Sequence, residues 1–288
     1  MFLADFRIEI VPDTEFRLDG GAMFGVVPRV LWEKVCPPDE SNRIRLNTNC
    51  LFIETAQEKI LIETGIGEKW SEKELKIYGI FREKPFAETF FEKIGYKPGD
   101  ISIVVNTHLH FDHAGGNTIL DESGKAVPQF PNARYFVSER EFEHAENPTE
   151  RDRGSYIAND WRPMRESGQL ELKPDVYEVV PNLTMRQMRG HNGSMQTVKL
   201  EGGGQTFYAF ADLIPTRAHV PLPWIMGYDL FPLETLANKK QLLPQAVREN
   251  WLCFFYHDFE TPLCRLREID GKLKAVNANE KLETENGK

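Results

Sequence analysis

The sequence predicts an α/β fold in which two β-sheets carry helices on their outer faces. Three observations support it. Strand patterns crowd residues 6–65, a second set of strands returns between 176 and 211, and helical periodicity lies between the two sets. One domain over 1–275 is expected to hold both sets, followed by a polar tail over 276–288 that frays.

FRIEIV alternates apolar and polar residues from Phe6, as a half-buried strand does. Within GGAMFGVVPRVLW, Gly20, Gly21 and Gly25 flank Met23 and Phe24, which reads as a loop with glycine's backbone freedom. CLFIET and KILIETG are strands, with AQEK between them as a hairpin turn. Residues 68–95 read as helical, and AETFFEKIG sets Phe90, Phe91 and Ile94 on one face. Pro98 and Gly99 break the chain before DISIVVNT, a run apolar enough for a buried strand. ARYFVSE is the next strand, and Ser138 with Glu141 three residues on is a capping-box signature opening a helix. The stretch to Gly168, with Tyr156, Trp161 and Met164, reads as an insertion beside the core. VYEVV, LTMRQM, MQTVKLEG and QTFYAFA form the second set, and WLCFFYHD the last strand.

Bulk properties narrow the function. The net charge of −9 repels a phosphate backbone and no long Lys/Arg run offsets it, so no nucleic-acid partner is expected. Asp5, Arg7 and Glu9 interrupt any signal-peptide core, and no apolar stretch reaches membrane-spanning length. Cys36, Cys50, Cys253 and Cys264 form no CxxC pair and read as buried thiols in a reducing compartment. The expected location is the cytoplasm, with no membrane partner.

The chemistry concentrates in NTHLHFDHAGGN, where His108, His110, Asp112 and His113 fall within six positions. Side chains two apart on an extended segment face the same way, so His108 and His110 can address one point. After the chain turns, Asp112 and His113 can address a second point nearby. Neutral imidazole and carboxylate are the ligands that divalent zinc takes, and catalytic sites leave one position open. Gly115 and Gly116 allow a tight turn afterwards. Further ligands should lie at later strand ends. His191 in GHNG, Asp212 in FADL and His257 in YHD each follow a strand. Five of the chain's seven histidines thus join one pattern, leaving His144 and His219.

These seven residues, in this order and context, resemble the metallo-β-lactamase superfamily. The resemblance implies an αββα sandwich of two mixed β-sheets flanked by helices, with a dinuclear centre at one edge. It implies that His108, His110 and His191 bind one ion, that Asp112, His113 and His257 bind the other, and that Asp212 bridges them. Two divalent ions, zinc or else iron, manganese or cobalt, would hold a bridging hydroxide that attacks the substrate. Asp112 is the candidate proton carrier to the leaving group. GGAMFGVVPRVLW, LIETGIG, GHNGSMQ and DLIPTRAHVPLPWIMGYD are similar to the lactonase and organophosphate-hydrolase branch. Two departures stand out. Glu63 sits where many members carry Asp, and no Tyr follows Asp212 closely, so Tyr228 or His219 is left to make that hydrogen bond.

An ester or lactone with an acyl chain needs an apolar wall. Met23, Phe24, Trp161, Trp224 and Tyr228 are the candidates for it, and Glu63 and His219 are candidates to support the metal ligands. The Met23–Phe24 loop is also a candidate homodimer contact. The expected function is a dinuclear hydrolase of lactones or carboxylic esters, N-acyl-homoserine lactones foremost. Phosphotriester or aryl-ester hydrolysis is the rival within the same chemistry, and a non-catalytic metal-binding sensor the rival outside it.

Overall fold

The computed structural model describes residues 1–278. Two seven-stranded mixed sheets face each other, with helices on the outside. The first runs in the order Phe2–Leu3, Phe6–Asp19, Arg43–Glu54, Lys59–Ile62, Ile103–Val105, Arg134–Ser138, Leu170–Lys173. The second runs Val176–Val180, Leu183–Gln187, Gln196–Gly202, Gln205–Ala209, Leu252–Phe254, Leu263–Ile269, Lys272–Asn277. This is the α/β sandwich expected.

Period-two alternation explains the layers. Ile103 and Val105 point inward, with Ile8, Leu51, Ile53 and Ile60, against Met185, Val198, Leu200 and Phe207 of the second sheet. Val104 points the other way, with Phe52 and Tyr135, onto Phe86, Phe90 and Ile94 of the helix Phe86–Ile94. Both faces of this strand are covered, which is why Ile103–Val105 is uninterruptedly apolar; each such side chain contributes roughly 1.5–3 kcal/mol. On the far side, Tyr208, Trp251 and Cys253 pack on Leu242, Leu243 and Ala246 of the helix Pro232–Arg248.

Several expectations need correction. Phe91 is half exposed, because Phe86, Phe90 and Ile94 take the inward stripe at i, i+4 and i+8. WLCFFYHD is not the last strand. Leu263–Ile269 and Lys272–Asn277 follow it as an antiparallel pair, with Cys264 and Leu266 buried between the outward Arg265 and Arg267. Val276 and Asn277, expected to fray, pair with Arg265 and Cys264. Residues 279–288 of the expected tail lie outside the described residues. GGAMF is a short helix rather than a loop, capped by the Asp19 carboxylate on Ala22 N–H. Among the described residues no helix is long and apolar enough to cross a membrane.

Candidate metal centre

Parallel pairing brings the strand ends together. Lys59–Ile62, Ile103–Val105 and Arg134–Ser138 are parallel neighbours, as are Gln205–Ala209 and Leu252–Phe254. Their C-terminal ends release Glu63, His108, Asp212 and His257 at one edge of the sandwich. The sheets are tied there by Gln196 N–H donating to Thr107 O and Asn49 N–H donating to Tyr256 O. His110 caps a one-turn helix, Phe111–Ala114, that carries Asp112 and His113.

All seven expected residues converge there, and all are buried. Their ligating atoms form a His108–His110–His191 group and an Asp112–His113–His257 group, each within 4.8 Å. Glu63 also falls within such a distance of His108 and His113. Asp212 lies between the groups. Its Oδ1 is 3.2 Å from both His113 Nε2 and His257 Nε2, and its Oδ2 is 3.4 Å from His191 Nε2. His108 Nε2 and Asp212 Oδ1 are buried without a hydrogen-bond partner. Native interiors rarely leave such atoms orphaned, and inward-facing imidazole and carboxylate lone pairs are the donor set a divalent cation satisfies. The residues fit a metal pair.

Electrostatics divide the cluster: although burial opposes it, Asp212 and Glu63 raise His113, and Asp212 and Asp229 raise His191, whereas two other rings are lowered. Burial, followed by the neighbouring histidines, holds His108 and His110 well below the usual histidine range, so they are the neutral imidazoles that ligate metals. Burial raises the Asp212 carboxyl, but His113, His257 and His191 outweigh it and hold it well below the usual carboxylate range.

Outer contacts orient four of the rings. Thr107 Oγ1 meets His108 Nδ1 at 2.9 Å, and Glu63 Oε1 lies 3.2 Å from His113 Nδ1. His257 Nδ1 donates to Asn47 O at 2.9 Å, and Asp229 Oδ1 lies 3.2 Å from His191 Nδ1. Asp229 is itself held by Thr235 Oγ1. Glu63 thus supports the cluster as expected of it, from a left-handed backbone at φ +62°, and Ala211 before Asp212 is left-handed too at φ +47°. Such strain costs of order 1–3 kcal/mol and collects at functional sites. The glycine pair has a different role from the one expected. A Cβ on Gly115 would sit 2.2 Å from Ile66 O and one on Gly116 2.0 Å from Thr64 O, so close approach of the Glu63 loop requires glycine there.

A cavity of about 470 Å³ opens onto Asp112, His110, His191, Asp212 and His257. Of the expected wall residues it includes Met23 and Tyr228; Leu18, Phe111, Met226 and Leu230 supply the rest of its apolar lining. Phe24, Trp161 and Trp224 are elsewhere. Phe24 is fully buried between Trp32 and His219. Trp161 packs edge-on to Phe142 under the insertion. Trp224 stands edge-on to Phe24 and lines a separate cavity with Cys36 and Arg217. The short helix that replaces the expected loop turns Phe24 inward and leaves Ala22 and Met23 at the cavity.

His219 touches none of the seven residues through a hydrogen bond. Its Nε2 donates to Met23 O at 2.9 Å and its Nδ1 faces Thr216 Oγ1 at 2.7 Å, so it fixes the wall rather than the ligands. Burial pulls its pKa down to about 3. The unfolded chain, with a histidine pKa near 6.5, binds this proton more readily than the folded one, so stability is lost as pH falls below about 6.5 toward 3. Between pH 7 and 5 this group should account for about 2 kcal/mol of acid destabilisation of the metal-free protein. Denaturant titration of His219→Asn should show that much less pH dependence than the parent chain. Parallel acid limbs would contradict the assignment.

Residues that carried no sequence signal also shape the site. Asp229 sits far from its His191 partner in the chain, inside a stretch otherwise read as pocket wall. Tyr78 lines the cavity with its ring packed on Trp70 and Phe111. Arg151 reaches across from the insertion to donate to Gly227 O at 2.5 Å.

Comparison with known proteins accords with this geometry. Residues 43–257 match the metallo-beta-lactamase superfamily. An N-acyl homoserine lactonase of Bacillus cereus is 26% identical over 239 residues, 76% of this chain and 84% of that protein. A crystal structure of a probable metal-dependent hydrolase from Staphylococcus aureus superposes with TM-score 0.87 at 31% identity, covering 98% of this chain and 100% of the other. A dizinc quorum-quenching lactonase in complex with a product superposes with TM-score 0.78 at 18% identity, covering 98% and 97%.

Proposed function

We propose that this chain, which belongs to the metallo-β-lactamase superfamily, opens lactones or carboxylic esters at a dinuclear centre, with N-acyl-homoserine lactones the foremost substrates. It is a metal-dependent hydrolase by its family and its lactonase relatives. The observation that carries the finer reading is the Asp212 carboxylate, which turns one oxygen to each histidine group at the floor of a largely apolar cavity.

His108, His110 and His191 would hold one ion and Asp112, His113 and His257 the other, with Asp212 shared between them. Zinc suits the mixed imidazole and carboxylate set, and iron, manganese or cobalt accept the same ligands. When bound, such a pair supplies a nucleophile from water at neutral pH and a Lewis acid for the substrate oxygen.

The chain's own residues do the remainder. Leu18, Met23, Phe111, Met226 and Leu230 take an acyl chain and exclude water from it. Asp112 lines the cavity, and Tyr256 fixes its backbone by donating to Asp112 O at 2.7 Å. From there the Asp112 carboxylate can accept a proton from the attacking water and return it to the alkoxide that leaves as the ring opens. Tyr228 lines the same wall, and its hydroxyl would donate a hydrogen bond to a substrate oxygen. Burial and nearby carboxylates push its pKa up to about 12, so it stays protonated at neutral pH.

Chelation followed by zinc reconstitution tests the proposal, with turnover followed by indicator assay on acyl lactones of graded chain length, an aryl ester and a phosphotriester. Lactone opening should vanish on chelation, return with zinc and exceed the other two activities. Preference for the phosphotriester would hand the site to the rival hydrolysis, and a metal-loaded chain inert on every substrate would make it a sensor.

A further inference from the structure

The five imidazoles at the cavity floor are not held alike. His108, His191 and His257 each turn one ring nitrogen to a hydrogen-bonding outer partner, and His113 Nδ1 faces the Glu63 carboxylate at 3.2 Å without a hydrogen bond. A ligand histidine so held has its ring orientation set before an ion arrives. His110 has no such partner among the described residues. Its Nδ1 faces His191 Nε2 at 3.1 Å, and its Nε2 meets no hydrogen-bond partner.

What surrounds His110 instead converges on one carboxylate. Glu141 is completely buried. Its Oε1 accepts from Leu109 N–H at 2.8 Å and from the Tyr156 hydroxyl at 3.1 Å. Its Oε2 accepts from Asn192 Nδ2 at 3.0 Å and from Ser194 Oγ at 2.5 Å. Leu109 lies between His108 and His110, while Asn192 and Ser194 directly follow His191. Tyr156 stands edge-on to the His110 ring at 4.7 Å and is held again by Asn192 Nδ2 at 3.2 Å. Four donors from three segments therefore meet on Glu141, and three of those donors sit beside the histidines of one group.

The capping box on this helix is half made for the same reason. Ser138 Oγ accepts from Glu141 N–H, but the Glu141 carboxylate does not return to the cap. It turns inward, and a carboxylate left buried without a cation persists only where donors satisfy it.

We propose that Glu141 is the positioning residue of the His108–His110–His191 group. It fixes the separation of the two histidine loops and, through Tyr156, the orientation of the one ring that lacks an outer partner. The Asp112–His113–His257 group is anchored by Glu63, Asn47 and Tyr256, none of which hydrogen-bonds Glu141, and Glu63 reaches the other group only at His108, through Thr107 Oγ1. The inference rests on the dinuclear reading, and it divides the two positions: one depends on Glu141 and the other does not.

Cobalt(II) titration of the metal-free full chain, followed by visible absorption and metal counting, separates these statements. The parent chain should bind two ions. Glu141→Ala should bind one with unchanged affinity and the second about 10–100-fold more weakly, as loss of an outer-sphere partner does. Thermal unfolding of the metal-free variant is measured alongside, because a merely structural role would lower stability without splitting the two affinities. If Glu141→Ala does not fold, Glu141→Gln serves. It keeps the volume and one acceptor oxygen but presents an amide donor to Asn192, and it should weaken the same single ion. Two ions at parental affinity, or both weakened equally, overturn the proposal. A parent chain that takes up fewer than two cobalt ions overturns the dinuclear reading itself, before any variant is compared.

Discussion

Asp212→Ala is expected to lower lactone hydrolysis by more than about 100-fold, beyond the 10–100-fold that losing an outer-sphere partner costs. It should also leave less than the full complement of metal after reconstitution. The reason is local charge. Asp212 Oδ1 lies 3.2 Å from two histidine nitrogens and its Oδ2 lies 3.4 Å from a third, so one anion offsets both halves of the cluster. Without it, two cations would share a buried site that has lost the carboxylate between them, and the lost attraction is large where water is excluded. His110→Ala should lose metal and hydrolysis too. Asp212→Asn is the informative companion, since it keeps the volume and removes only the charge. Metal content by mass spectrometry and turnover on one lactone check both together, with circular dichroism to confirm folding. Full turnover with metal retained would remove Asp212 from the centre.

Asp13→Ala is expected to cost about 3–5 kcal/mol of stability, the range for breaking a buried ion pair by deleting one partner. Asp13 sits at a register shift between Pro12 and Glu15, a bulge that aims its side chain inward. Its Oδ1 accepts from Arg82 Nη1 at 2.5 Å, and its Oδ2 accepts from Ile66 N–H at 2.9 Å and Thr48 Oγ1 at 3.2 Å. Burial raises the Asp13 pKa although Arg82 opposes it, so desolvation outweighs the attraction and the pair adds little net stability by itself. Deleting one partner is a different matter, because it strands a mostly buried guanidinium and an amide. The stranded amide belongs to the Glu63–Gly67 loop, which supports His113 through Glu63. Chemical denaturation of the metal-free protein measures the loss. The Asp13→Ala/Arg82→Ala pair should fall well short of the sum of the single variants. A loss under about 1 kcal/mol for Asp13→Ala would mean that water reaches Arg82.

The legible parts of this chain are those written in short periods. The strand DISIVVNT, the amphipathic helix around Phe90 and the histidines of HLHFDH each declare themselves within a few residues, since side-chain direction follows local backbone geometry. The two added strands after Leu263 are only partly legible: Cys264 and Leu266 alternate with the outward Arg265 and Arg267, and Glu268 and the exposed Ile269 then break the alternation. The pocket wall was legible only in part. GGAMF contains the residue types of a lining loop, but one helical turn sends Phe24 into the core and Met23 to the cavity.

By itself, the sequence determined the layer order, the seven residues that converge and the class of chemistry their donor atoms can support. Covalent chemistry and strand periodicity travel with the chain, so these could be read residue by residue. Only the tertiary structure decided how the cluster is held: Asp229 behind His191, Glu63 behind His113 from a left-handed backbone, and Glu141 drawn out of its capping box to join two loops. Each of those contacts joins residues 30 or more positions apart. Their energies come from burial, which no local pattern encodes, because a carboxylate inward and a carboxylate outward are written with the same letter.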